Sequence, residues 1–488
     1  MKKLLTGILI ASSALFLAAC DGLTTTKKTT AKSTTTTRRS TTRKNTTTSP
    51  ITTEATVKKE INFYCWNTEF KDRFDRLSTL VGIEAVTANA TTLRDGSVIN
   101  WCRFTNEGMN YRNNLDEGLE NGDVDIYCVE PDFMKHYVDS KNAVTLAELG
   151  VDQTYQYQYT LDYGRNYNGD VVATTWNVQP TVIAYNVEVA KYVYGDDVTY
   201  SDIRDKLAEQ GSFDAMPDEL AEKGKCMFIG PDDLYRRYYS NPTHKVYDGE
   251  SITLDRNLFE WVNISKTYLN NNYLVGGDRS LYLWGSDWME EHQKNNVLCI
   301  NSCPWYSQYD IPYFVKGSYD YSEDTGFRLV ATYESYNWGG TYLCAAPKVL
   351  EDEKVKDIVG NILSEMTTDR DLLIAMSKEF GDAVNDTRAM EALKEDQTSE
   401  LSIFGGQNAM QVYDEAARKV DGTKLTEYDY EIAWLFDDVF QGYIEGTDTL
   451  SSAFETLIEK ITLKFGFDRD AIKIPVSVKF DGNNIILD

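Results

Sequence analysis

The chain is short of histidine, proline and positive charge: three histidines, ten prolines, and 49 Lys/Arg against 76 Asp/Glu in 488 residues. His136, His244 and His292 lie too far apart to form a zinc cluster with the cysteines, and they offer little proton transfer near neutral pH. The net charge of −27 sets the average surface against a phosphate backbone, so nucleic acid is not an expected partner. No G-x-S-x-G, H-E-x-x-H or P-loop pattern occurs, which removes the commonest signatures of hydrolases and nucleotide-binding enzymes. What is present is 42% hydrophobic and 12% aromatic residues, enough for large cores and unlike collagen, a coiled coil or a disordered chain. At roughly 150 residues per domain, the length allows about three compact units at most.

Residues 1–20 read as a secretory signal: Lys2 and Lys3, an apolar run from Leu4 to Leu17, then small residues before Cys20. The run is shorter than the ~20 residues of a membrane-spanning helix. Leu17-Ala18-Ala19-Cys20 resembles a bacterial lipobox, which implies cleavage after residue 19 and acyl chains on Cys20 anchoring the protein to the membrane. An ordinary secretory signal with a chance cysteine is the blander reading. Residues 20–59 form the expected tether; from residue 21 to 57 they are almost entirely Thr, Ser, Lys and Arg, too polar to fold. That stretch is either a stalk, glycosylated or not, or a tolerated linker. Residues 1–59 hold eleven basic and two acidic residues, so the body carries 38 against 74 and the basic end faces the anionic membrane.

Seven cysteines remain in the body, an odd number that guarantees at least one unpaired thiol within the chain. Most lie inside apolar runs such as Phe63-Tyr64-Cys65-Trp66, where a small buried hydrophobe is the expected role. From Ile61 onwards, strand-like runs at 61–66, 98–104 and 124–129 alternate with helical patterns at about 69–80 and 110–120 and around Met134 and Tyr137. This order predicts an α/β unit with a largely parallel sheet. Further strands are expected at 171–177, 181–186, 225–229, 297–301, 327–333 and 342–346, with helices at 257–269, 355–367, 372–379 and 407–420. So much α/β text in ~430 residues calls for two lobes.

Ligands of open α/β sheets collect beyond the carboxyl ends of the strands. The segments there are 66–69, 130–132, 176–179, 230–233, 301–305 and 337–340; four contain a tryptophan and all contain an amide or carboxylate side chain. Aromatic faces beside planar polar groups suit a sugar, whose C–H face stacks while its hydroxyls pair.

At these residues the chain resembles an extracellular solute-binding lipoprotein of a bacterial ABC importer, of the carbohydrate-binding group. The resemblance is carried by the lipobox, the 61–70 opening, Gly122-Asp123-Val124-Asp125-Ile126, Thr181-Val182-Ile183-Ala184-Tyr185-Asn186, the Asn301…Pro304-Trp305 segment and Trp338-Gly339-Gly340-Thr341-Tyr342-Leu343. It implies a two-lobed periplasmic-binding-protein-like fold of type II that closes on its ligand by hinge bending. The expected lobes are 60–179 with about 340–398, and 180–339 with about 399–488. It further implies that Trp66, Asn67, Glu130 and Asp132 line the first lobe's side of the cleft, with Trp176 and Gln179 near the crossover. Asp232, Tyr235 and Trp305 would come from the second lobe, Trp305 stacking on a pyranose ring, and Trp338, Gly339 and Gly340 from the returning hinge. No cofactor or metal is implied; the partners are a small solute and the permease, and the protein is expected to be a monomer.

The plainer readings are core packing for each tryptophan and helix capping for Glu130, Asp132 and Asp232. Trp101, Trp261 and Trp434 are expected to pack, and Trp284 with Trp288 to share a helix face. Two other classes compete: a surface glycoside hydrolase, which needs two carboxylates about 5–9.5 Å apart across a cleft, and an adhesin with a flat aromatic patch on its stalk.

Overall fold

The computed structural model describes residues 57–230, 232–275, 283, 285–317 and 322–488; the expected signal segment, Cys20, the tether up to residue 56 and Trp284 lie outside the described residues. The last tether residue belongs to the body: Lys59 pairs with Asp352, and its backbone N–H donates to Ser97 Oγ at 3.0 Å.

Eleven strands carry the architecture: β1 (Glu60–Cys65), β2 (Val81–Val86), β3 (Ala90–Leu93), β4 (Val98–Arg103), β5 (Ile126–Val129), β6 (Ala173–Thr174), β7 (Val182–Asn186), β8 (Ile252–Thr253), β9 (Cys299–Ser302), β10 (Phe327–Val330) and β11 (Tyr342–Ala345). The first lobe is built on a seven-stranded sheet, β2-β3-β4-β1-β5-β11-β6, and the second on β10-β7-β9. The helices that matter here are α1 (Glu69–Leu77), α2 (Asn110–Asn121), α3 (Asp232–Tyr239), α4 (Arg256–Asn271), α5 (Glu353–Thr368), α6 (Arg370–Phe380), α7 (Thr387–Glu395), α8 (Ala409–Ala417), α9 (Asp429–Ile444) and α10 (Leu450–Phe465).

Strand period explains which residues go inside. In β1, Ile61, Phe63 and Cys65 are buried on one face, and Phe63 meets Phe70 of α1 at 4.9 Å and Trp101 of β4 at 4.8 Å. β5 and β11 lie inside the sheet and are buried along their whole length. β7 divides its side chains between two cores: Val182 and Ala184 face the one shared with the first lobe, while Ile183 and Tyr185 face the one under α4, α9 and α10. α8, allotted by sequence to the second lobe, packs on β7 and β10 and also on α7.

The expectation of a largely parallel sheet is corrected. Within these two sheets only β1–β4 and β1–β5 are parallel, while β2–β3, β3–β4, β5–β11 and β6–β11 are antiparallel, as are both pairings of the second sheet; β8 stands apart, paired in parallel with Ile472–Lys473. The reason is connectivity: three residues between β2 and β3 permit only a hairpin, and β11 re-enters the first sheet from the second lobe. The expected strand at 225–229 reduces to a single bridge between Cys226 and Val297, and that at 171–177 to Ala173–Thr174. The segments that leave and re-enter the first lobe run side by side, with Trp338 N–H donating to the Gln179 carbonyl at 2.8 Å and Thr181 N–H to that of Tyr336 at 2.8 Å. A third passage joins them through Val178 N–H to the Ala383 carbonyl at 2.7 Å.

The seven body cysteines are free thiols, five of them buried. Trp101 and Trp261 are core residues, whereas Trp434 is 47% exposed under the Lys464 ammonium, contrary to the expected packing role. Among the described residues no helix is long and apolar enough to cross a membrane.

Candidate functional site

The crossover gathers five of the expected residues. Trp305 follows β9, and its backbone N–H donates to Gln179 Oε1 at 3.1 Å while its indole Nε1 donates to the Trp338 carbonyl at 3.2 Å. Gly339 and Gly340, at φ +82° and +95°, use backbone that other residues rarely adopt. A Cβ at Gly339 would stand 3.0 Å from Trp305 Nε1, and one at Gly340 3.0 Å from Gln179 Cγ. The Tyr306 ring lies 5.5 Å from Trp305 and 5.6 Å from Trp338, forming an aromatic wall in which Tyr306 and Trp338 are core residues at 1% and 7% exposure and Trp305 alone is half-buried.

A second group forms beyond β1 and β5. The half-buried Trp66 packs edge-on against Tyr111 of α2 at 5.2 Å, and Glu130, Arg112 and Phe133 line the same crevice, whose free space of about 10 Å3 holds no more than one water. Burial pushes the Glu130 carboxyl above the usual range and Asp132 adds to the push, while Asn106 and the nearby arginines draw it back. Asn67 Oδ1 accepts from Glu69 N–H at 3.0 Å, and Glu69 in turn accepts from Thr341 Oγ1 at 3.2 Å. Burial also raises the Glu69 carboxyl, against the pull of Arg73.

Asp132 joins the two groups. It forms an ion pair with Arg236 of α3 in the second lobe, and the guanidinium lies 5.7 Å from the Trp338 ring. Beside it, Phe133 meets Tyr430 of α9 at 5.1 Å, a second contact between the lobes.

Two expected residues turn to the cores, and a third, Asp232, shares the α3 face of Arg236 outside both groups. Trp176 has no exposed surface; its indole packs 5.4 Å from Phe70 and under Arg73, which is fork-bonded to Asp382. Tyr235 turns to the second core, donating to the Ala433 carbonyl and packing 4.3 Å from Trp261, so that it ties α3 to α4 and α9. Asp232 opens α3, partly buried. Its neighbour Asp233 is the buried one, accepting from Ile229 N–H at 2.9 Å and Trp288 Nε1 at 2.9 Å.

Sequence reasoning missed Arg236, Arg112 and Tyr430, and it singled out Glu69 within the 66–69 segment without assigning it a contact. Arg236 was within reach: Asp232, Arg236 and Tyr239 fall at i, i+4 and i+7, one face of α3. Arg112 and Tyr430 carried no local signal. A separate cavity of about 310 Å3, between the helical segment Tyr306–Asp310, the end of α6 and residues 398–403, shares no residue with the expected set. No group of side chains suited to a metal ion occurs among the described residues.

This architecture, two α/β lobes joined by adjacent crossing segments with an aromatic and amide cluster where they meet, is the type II fold of periplasmic solute-binding proteins. Among solved structures, an extracellular solute-binding protein of family 1 superposes with a TM-score of 0.65 at 14% identity, over 82% of this chain and 98% of its own. The ABC-transporter-associated binding protein of B. animalis subsp. lactis in complex with β-1,6-galactobiose gives 0.58 at 14% identity, over 86% and 100%. The galacto-N-biose/lacto-N-biose I-binding protein of the Bifidobacterium longum ABC transporter, in complex with lacto-N-biose, gives 0.59 at 12% identity, over 84% and 98%. No family model and no curated protein matches the chain.

Proposed function

We propose that this chain is the solute-binding component of a bacterial ABC importer and that it captures a sugar or oligosaccharide. The observation that carries the reading is the cluster of Trp305, Trp338, Gln179, Gly339 and Gly340 at the crossing of the lobes, where a ligand touches both. Stacking on the half-buried Trp305 indole, hydrogen bonds with the amide and the backbone, and hydroxyls donating to the carboxylates of Glu69, Glu130 and Asp132 recognise a polyol without chemistry being done on it. Ligand contacts made only when the lobes approach shift the molecule towards the closed state, which docks on the permease. Acylated Cys20 and the Thr-rich tether hold the body, a monomer, on the outer face of the membrane. The sugar complexes among the solved structures of the same fold support the choice of solute class.

The test is tryptophan fluorescence and melting temperature of the body from Lys59 to Asp488 against mono- and disaccharides, including β-1,6-galactobiose and lacto-N-biose, with amino acids and peptides as alternatives. A saturable shift with a sugar recovered unchanged is expected. Consumption of the sugar would favour a hydrolase, and a response to amino acids or peptides alone would overturn the sugar reading.

A further inference from the structure

The Asp132–Arg236 contact is more than a tie between lobes. Arg236 Nη2 donates to Asp132 Oδ1 at 2.6 Å and to Oδ2 at 2.5 Å, and Nη1 donates to Oδ2 at 3.3 Å. The Arg236 side chain is only 13% exposed, with the rings of Trp338 and Tyr239 at 5.7 and 5.4 Å from the guanidinium. Its Nε is buried without a partner. A planar fork of this kind is the protein's means of holding a carboxylate, and here that position, against the aromatic wall of the candidate site, is filled from within the chain.

An acidic sugar entering this site would have to displace Asp132 from the fork, leaving a carboxylate stranded beside Glu130, or bring its own carboxylate among these two with only Arg112, stacked 3.8 Å over the Phe133 ring and already drawn on by Glu130, to meet it. Both alternatives are unfavourable for a buried charge. An uncharged sugar asks for neither; it can donate hydroxyls to Glu130 and to the free lone pairs of Asp132 while the pair stands. We propose that the Asp132–Arg236 pair sets the charge of the ligand, so that the cleft takes uncharged saccharides and rejects uronic acids. This selection works by occupying the anion position rather than by an added attraction. The proposal rests on the sugar reading above and names the class within it.

Its test compares the wild type with Asp132→Asn, Arg236→Gln and the double variant. The probes are D-galactose and D-galacturonate, which differ only in a hydroxymethyl against a carboxylate, with acetate as a sugar-free anion. The wild type should favour galactose. Asp132→Asn, which frees the fork, should shift the galactose-to-galacturonate affinity ratio at least tenfold towards the acid and gain a melting-temperature response to millimolar acetate. The double variant should lose both gains. Arg236→Gln, which leaves two carboxylates without the guanidinium, should go on rejecting galacturonate, and it keeps the proposal testable if Asp132→Asn does not fold. An unchanged ratio in Asp132→Asn, galacturonate binding to Arg236→Gln, or a wild type that prefers the acid would overturn the proposal. Acetate acting on Asp132→Asn alone while both sugars stay silent would uphold the filled anion position and count against the sugar reading. Silence of acetate and both sugars on a folded Asp132→Asn would count against both.

Discussion

Gly339 and Trp305 are fitted to one another: the glycine stands at φ +82°, and the Cβ it lacks would lie 3.0 Å from the indole nitrogen that donates to the Trp338 carbonyl. Gly339→Ala therefore strains the backbone and pushes the indole. The expected cost is about 1–2 kcal/mol of stability, together with a change in tryptophan emission and weaker solute binding. Gly122→Ala is the control, since Gly122 has φ +74° but open space around its missing Cβ. It should show the backbone cost without the spectral change; equal spectra for the two variants would remove the Gly339–Trp305 coupling.

Trp176 and Trp305 should separate stability from binding. Trp176 is fully buried against Phe70, so Trp176→Ala should lose about 3–5 kcal/mol in urea unfolding. Trp305 is half-buried, and Trp305→Ala should lose less stability but most of the affinity for the solute. Full affinity in a folded Trp305→Ala would sink the stacking role.

Arg73 and Asp382 form a buried pair, at 2.5 and 2.6 Å, that fastens α1 to the passage after α6. Asp382→Asn leaves the guanidinium with Glu69, 3.7 Å away, as its remaining counter-charge and should cost up to about 3 kcal/mol in chemical denaturation. Replacing both residues by apolar side chains of similar volume should recover much of that loss. A double variant as unstable as the single one would show that the pair does more than neutralise itself.

Stability towards acid should report His292. Both ring nitrogens are buried without a partner, the ring lies 4.5 Å from Trp288, and burial pulls its pKa down to about 3. The unfolded state takes up the proton near pH 6.5 and the folded state does not, so stability falls as the pH drops from about 6.5 towards 3. Asp233, which burial pushes up to about 7, contributes with the opposite sign: its stabilisation is full below about pH 4 and is lost as the pH rises through 7. His292→Leu should flatten the decline in melting temperature between pH 6.5 and 4.5. An unchanged slope would exclude His292 as its source.

Much of the site's neighbourhood was readable before the fold. The alternation Ile61, Phe63, Cys65 marks β1, Gly122 ends α2, and Asn186 caps the helix over 187–194 that Gly195 stops, all through local backbone rules. Those same rules place the loops beyond the strands, and hence Gln179, Trp305 and Gly339, near a common edge. They could not separate Trp176 from Trp305, because each is a tryptophan after a strand and only the packing of α1 covers the former. Tyr235 was misjudged by one position: on α3 it faces the second core, while Arg236, about 100° further round the helix, faces the cleft.

By itself the sequence determined many of the strands and helices, though not the β2–β3 hairpin or α9 and α10, together with the loops beyond the strands and an acidic body behind a basic, Thr-rich end, since each depends on residue type and short-range spacing. The tertiary structure alone decided the mostly antiparallel sheets and the pairing of Asp132 with Arg236, 104 residues apart. Which strand lies beside which, and which charge meets which, follows from how the chain crosses between lobes, and no local periodicity carries that information.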